Sequence, residues 1–304
     1  MGILSGSAAV TRFTVPALTD EPDFEAVRFR EIEPGSETRE SAGFVPAEPD
    51  APWEVGARRW FFRLRIDTVR PDPTAVQERV KEMVRAELDQ GAEFVGSKKR
   101  KKMKELAEEE LIFGAQPRSK IVECCIDGET LYVGSTAKNI LGRVAETMRR
   151  IHVPADLKAP WVDRGDPDIE SPILETYEPG ESLLGARFLR ALIGDREILF
   201  EPESGLVKLR TEDARVTLGG SVLKDLVRYV ERGCEVLSAK LISGDPAASF
   251  TLDGLSFRVS SLRVETSRHD HWTEQLDERL GRIAEVYGLL ERKYEELAPR
   301  LFHV

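Results

Sequence analysis

The sequence predicts an α+β protein of antiparallel sheets with packed helices, on three observations. Asp127-Gly128 and Asp253-Gly254 each lie between apolar runs, which marks an antiparallel hairpin. The segments 75–88, 136–151 and 270–297 repeat apolar residues at 3.6-residue spacing, which marks helices with one buried face. A chain of 304 residues, 41 % hydrophobic and 32 % charged, has the apolar mass of a soluble globular protein and length for about two domains.

Taken in order, residues 7–15 (SAAVTRFTV) alternate like a half-exposed strand, and 22–31 suits a short helix. Residues 34–52, with Pro34, Pro46, Pro49 and Pro52, read as loop around a short strand at Gly43-Phe44-Val45. The segment RRWFFRLRIDTVR (58–70) reads as a strong strand. Trp60, Phe62, Leu64 and Ile66 share one face; Arg59, Phe61, Arg63, Arg65 and Asp67 share the other. Its arginines suit either a basic sheet surface or a plain solvated face. Pro71 and Pro73 introduce a helix that runs to Gly91.

A hairpin around Asp127-Gly128 and a helix over 136–151 then close an N-terminal region, 1–152. Within it, about 72–118 forms a basic, projecting helical finger. Residues 153–180, with five prolines, read as a linker whose His152 and Trp161 are structural. The region 181–304 opens with an amphipathic helix at 181–193. Strands follow near 197–200 and 205–210, then a helix at 221–232 stopped by Gly233, a strand at 234–242 and the hairpin 248–265. The last helix, 270–297, has one apolar stripe from Trp272 to Leu297, either core or a subunit contact.

Much chemistry is missing. There is no phosphate-binding GxxxxGK[ST], no GxSxG and no HExxH. Gly185 and Gly194 flank a helix without making a dinucleotide fingerprint. Cys124, Cys125 and Cys234 have no CxxC spacing and read as reduced, buried, cytoplasmic thiols. The imidazoles of His269-Asp270-His271 would share a face on a strand and admit a bridging metal; at a helix mouth they cap or face solvent. No carboxylate spacing marks a metal site, and no cofactor is expected. The opening MGILSGSAAVTRFTV has neither a basic start nor an unbroken apolar run, so it does not read as a signal peptide. It lacks the Ser/Thr of a myristoylation start, since Gly6 stands there. No run approaches the roughly 18 apolar residues of a membrane span.

Charge is the informative property. The chain carries a formal net −10, unevenly spread. Asp20 to Asp50 holds ten acidic and three basic residues, a local −7; Arg58 to Lys104 holds fourteen basic and seven acidic, a local +7. The peak is GSKKRKKMKELAEEE (96–110), where Lys98, Lys99, Arg100, Lys101, Lys102 and Lys104 precede a run of glutamates. Cations at a helix start and anions at its end oppose the helix dipole, so the charge is retained for another purpose. A nucleic-acid grip, a solvated helix face and a nuclear-localisation run all suit such a segment.

A strand ending in Arg leads to Pro-x-Pro and a helix. The Lys/Arg-rich segment then enters KELAEEELIFGAQPRSKIVECCID, followed by LYVGSTAKNILGRVAETMRRI. This ordered set resembles the recombination-associated RdgC family, once labelled putative exonucleases. The opening fifteen residues, Gly43-Phe44-Val45-Pro46 and GLVKLRTEDARV (205–216) are similar too. The likeness covers most of the chain and thins at 153–195 and at the C-terminus.

The resemblance implies a non-enzymatic, sequence-nonspecific binder of double-stranded DNA. It implies a ring-shaped homodimer around the duplex, with a basic lumen and helical fingers at one dimer contact, which restrains RecA-dependent recombination. It implies a cytoplasmic, nucleoid-associated protein with no membrane partner. The spike maps to the finger. Where the family has Pro-Arg-Ala-Phe, this chain has Pro117-Arg118-Ser119-Lys120; Arg118 is kept and the aromatic becomes Lys120. Lys208 and Arg210 match the family's second basic motif, while Thr211 and Glu212 depart from it. Two alternatives stand beside the clamp. One is a metal-dependent nuclease that gathers carboxylates around Mg²⁺ or Mn²⁺; the other is a protein scaffold that docks partners on its C-terminal helix.

Overall fold

The elements run in chain order β1 (Ala8–Thr14), a 3-10 turn (Phe24–Val27), β2 (Glu40–Val45), β3 (Glu54–Gly56), β4 (Arg59–Val69), α1 (Pro73–Asp89) and α2 (Ser97–Ile112). Next come β5 (Pro117–Asp127), β6 (Thr130–Val133), α3 (Lys138–Arg150), β7 (Asp156–Leu157), α4 (Pro160–Arg164) and α5 (Leu184–Ala191). The chain ends with β8 (Ile198–Phe200), β9 (Leu206–Arg210), β10 (Arg215–Gly219), α6 (Leu223–Glu231), β11 (Glu235–Gly244), β12 (Ala247–Asp253), β13 (Arg258–Val264) and α7 (Trp272–Leu301). This computed structural model describes residues 2–302 except 34, 35, 37, 57, 168, 170–177, 204, 212, 221, 222, 265 and 268. It is an α+β fold with a large antiparallel sheet.

Two compact units share the chain. The larger takes residues 1–23, 46–62 and 122–304; the smaller takes 24–45 and 63–121. The units are therefore interleaved along the sequence rather than split at 153–180. The expected linker contains α4, where Trp161 is buried and donates its indole N–H to the Gly180 carbonyl at 2.8 Å. Within that expected linker, residues 168 and 170–177 lie outside the described residues.

In the larger unit the strand order is β10-β9-β11-β12-β13-β1-β6-β5, with β7 on β1 and β8 on β11. β1 pairs through Ala8 and Val10 with β13, then through Thr11–Thr14 with β6. This central place explains why β1 is not half-exposed as its alternation suggests. Thr11 is fully buried and donates to the Ser135 carbonyl at 2.7 Å, and Arg12 is buried as well. The expected hairpins both form. Asp127 pairs with Thr130, with Gly128 at φ +59°; Asp253 pairs with Arg258. The second turn is wider than its Asp-Gly suggests, because the Asp253 carboxylate holds the Leu255 and Ser256 N–H groups at 3.1 and 3.0 Å. The sequence reading marks no strand at β10, a short edge whose Val216 and Leu218 are only half-buried.

The apolar stripe of α7 is core: Leu276, Leu280, Ile283, Val286, Leu290 and Tyr294 are buried. It thus offers no free docking face in this unit. The smaller unit contains the β2–β4 ladder, from Glu40↔Thr68 to Val45↔Arg63, and the α1–α2 hairpin. Phe24 and Phe44 pack edge to face at 5.3 Å, and Gly43 lies where a Cβ would fall 2.5 Å from the Phe29 backbone. Only the 3-10 turn forms where 22–31 suggested a helix.

Candidate nucleic-acid interface

Helix α1 starts where its prolines predict. Pro73 occupies the first turn, and the Asp72 carboxylate accepts from the Thr74 and Ala75 N–H groups at 2.6 and 3.3 Å. Those backbone donations, the first above all, hold the Asp72 carboxyl below its usual range. Helix α2 starts without such help. Gly96 supplies no side-chain cap, and no acid stands in the first turn. Its dipole is therefore opposed by Lys98, Lys99 and Arg100, as the sequence suggested.

The hairpin is tied by Arg79 to Glu110 at 2.8 Å and by Lys99 to Glu87. Met103 and Ala107 are the buried residues of α2, and they divide the spike around the helix. Lys99 is held by α1. Arg100, Lys101 and Lys104 turn into a groove of about 1110 Å³. Lys98 and Lys102 are exposed and do not line it.

The groove also receives Arg118 from the start of β5, so four of the sequence-predicted residues converge there. Three further cations join them: Arg39 before β2, Arg70 after β4, and Lys81 of α1. All seven are exposed. Among the described residues the groove's carboxylates are Glu40 and Glu108. Glu108 reaches Lys104 at 3.6 Å, and Lys101 has Glu105 at 4.0 Å. The floor is apolar, with Val69, Val76, Val80 and Ile112. A cleft of one charge sign with low-dielectric walls concentrates its field. Arg39, Arg70 and Lys81 are not among the sequence-predicted site residues, since only the fold brings their three segments to one groove.

The remaining predicted residues lie elsewhere. Lys120 is exposed on β5, two residues beyond Arg118. Lys208 and Arg210 belong to the larger unit, where Lys208 is exposed and Arg210 half-buried on β9. Arg210 lies opposite Arg215 of β10 on one side and Glu235 of β11 on the other. Like charges directly opposite across a ladder are unfavourable, so this edge tolerates a cost in positive charge. Thr211 exchanges hydrogen bonds with Ala214 at 2.9 and 3.2 Å and closes the β9–β10 turn. Glu212 lies outside the described residues.

The basic face expected on β4 is partly consumed. Arg59 pairs with Asp127 at 2.9 Å and with Asp277. Arg65 forms a fork on Asp67 at 3.0 and 2.8 Å and lies 4.2 Å over the Phe29 ring. Burial alone would raise the Asp67 carboxyl, but the Arg65 hydrogen bonds outweigh it and hold the group below its usual value.

Among the described residues no three His, Cys, Asp or Glu side chains gather as metal ligands. His269 instead meets Glu278 at 2.7 Å and Glu274 at 3.4 Å. Cys124 and Cys125 are buried free thiols, and burial pushes the Cys125 thiol up. No described helix is long and apolar enough to cross a membrane. No family model matches the chain, and no curated protein matches it.

Proposed function

We propose that this chain is a non-enzymatic, sequence-nonspecific double-stranded DNA-binding protein. In this reading it encircles the duplex as a ring-shaped homodimer, associates with the nucleoid and restrains RecA-dependent recombination, as its resemblance to the RdgC family implies. The observation that carries the DNA reading is the groove of the smaller unit, where seven cations from five chain segments meet two carboxylates. The mismatch with the chain's net −10 supports it, because phosphate neutralisation requires positive charge only where the polyanion lies. Among the described residues the lining offers no aromatic platform on which bases could stack, and its exposed cations suit phosphate contacts.

The test is binding of a labelled linear duplex across a salt series. Wild type is compared with a variant carrying Ala at Lys98, Lys99, Arg100, Lys101, Lys102 and Lys104. The expected outcome is tight wild-type binding that weakens with salt, and a shallower salt slope in the variant. Absence of wild-type binding at low salt removes the reading. Sedimentation of the protein with and without duplex tests the homodimer. Incubation of the duplex with Mg²⁺ or Mn²⁺ tests the nuclease alternative: cutting that a carboxylate substitution abolishes would replace the binding-only reading.

A further inference from the structure

We infer that the groove of the smaller unit is a site for a linear chain of phosphates, and that free inorganic polyphosphate binds in it. The inference deepens the DNA-binding reading and takes from it the premise that phosphate is the anion.

Five of the seven groove cations, Arg39, Arg70, Lys81, Arg100 and Arg118, have no described carboxylate within 4.0 Å. Arg100 donates its Nε to the Val95 carbonyl at 3.2 Å and Arg118 acts electrostatically on Asp72, which leaves Arg39, Arg70 and Lys81 as the groove cations with the fewest contacts inside the protein. Four groove cations are arginines, whose planar forks match phosphate oxygens two at a time. The aliphatic floor lowers the local dielectric beneath them and strengthens each contact. What the groove lacks is equally specific. Binding of unpaired bases uses aromatic platforms, and reading of adenine and cytosine edges uses amides or carboxylates; among the described residues this lining has no aromatic and one amide. At about 1110 Å³ the groove has the size of a large small-molecule site. It accommodates a strand of phosphates and not a whole duplex. A ligand of phosphates alone therefore meets every contact the groove offers.

The experiment uses the full chain and a fluorescent inorganic polyphosphate at fixed ionic strength. A groove variant carries Arg39→Ser, Arg70→Ser and Lys81→Ser. A control of equal charge carries Lys98→Ser, Lys102→Ser and Lys224→Ser. All six positions are exposed, so both variants should fold. We expect wild type to bind, the groove variant to bind at least about tenfold more weakly, and the control to stay within about twofold. No binding by wild type, equal loss in both variants, or equal binding of poly-glutamate of the same charge would each overturn the inference. A labelled duplex is titrated in parallel to separate the two readings. Duplex binding without polyphosphate binding leaves the DNA reading standing and removes this one. Polyphosphate binding lost only in the groove variant, with no duplex binding by any form, does the reverse.

Discussion

The guanidinium of Arg12 lies over the ring of Tyr287, its central carbon 3.8 Å from the ring centroid, and donates to Glu291 at 2.5 Å. Tyr287 in turn donates its hydroxyl to the Val10 carbonyl at 2.9 Å. Thus a strand near the start of the chain and a helix near its end are joined by a buried cation, a ring and one carboxylate. The Arg12 Nε has no partner among the described atoms, so the cation depends on the ring and on Glu291. Removing Glu291 strands a buried charge. Glu291→Gln is expected to cost about 2 kcal/mol, a fall of roughly 4–8 °C in Tm. Adding Arg12→Met should recover much of that loss, since an apolar replacement removes the charge that needs a partner. Thermal unfolding of the single and double variants checks this; a double variant less stable than the single sinks the account.

Gly185 is required by contact, not by conformation. A Cβ there would fall 1.7 Å from the Gly254 carbonyl oxygen and 2.7 Å from the Trp161 ring. Helix α5 therefore rests backbone to backbone on the β12–β13 turn. Gly185→Ala should destabilise by at least about 3 kcal/mol, the upper range of overpacking. Gly142→Ala, with open space around it, should be neutral or slightly stabilising in α3. Denaturant midpoints of the two variants provide the comparison, and a tolerated Gly185→Ala contradicts the close approach.

The His269–Glu278 pair gives the stability a pH window. The hydrogen bond to Glu278 raises the His269 pKa, and the same bond lowers that of Glu278. A raised histidine contributes fully below its unfolded value of about 6.5, and the contribution fades as pH climbs through the folded pKa. A depressed glutamate contributes above about 4.3 and fades as pH falls through its folded value. The two together stabilise most between those limits. The Tm difference between wild type and His269→Asn should be largest near pH 5–6 and shrink above neutrality. A difference that grows from pH 6 to pH 8 reverses the sign and rejects the pair.

The two faces of α2 should differ on DNA. Substituting Arg100, Lys101, Lys104 and Arg118 with Ser is expected to make the log–log salt slope shallower by about 3–4 if each meets one phosphate. Substituting Lys98 and Lys102, outside the groove, should change it by well under one per residue. Equal change per charge at the two faces would mean that the groove has no special part in binding.

The sequence made the local architecture legible because its signals are local. Pro73 behind Asp72 starts α1, Gly233 at φ +84° follows α6, and the stripe from Leu276 to Tyr294 marks the buried face of α7. The basic spike was equally plain, since its six cations are nearly contiguous. Its division was not. Met103 and Ala107 decide which lysines turn toward the groove, and that follows from packing against a partner helix.

By itself the sequence determined the α+β class, the helical hairpin, the two turn-linked strand pairs and the concentration of charge between Arg58 and Lys104. Only the tertiary structure decided that β1 is buried through Thr11 and Arg12, that the two units interleave along the chain, and that Arg59 and Arg65 are spent on internal carboxylates. It also decided that Arg39, Arg70 and Lys81 join Arg100, Lys101, Lys104 and Arg118 around one groove. The reason is physical. Helix period, caps and turns act over a few neighbouring residues, whereas a charged cleft is assembled from side chains far apart in sequence that only the folded backbone brings together.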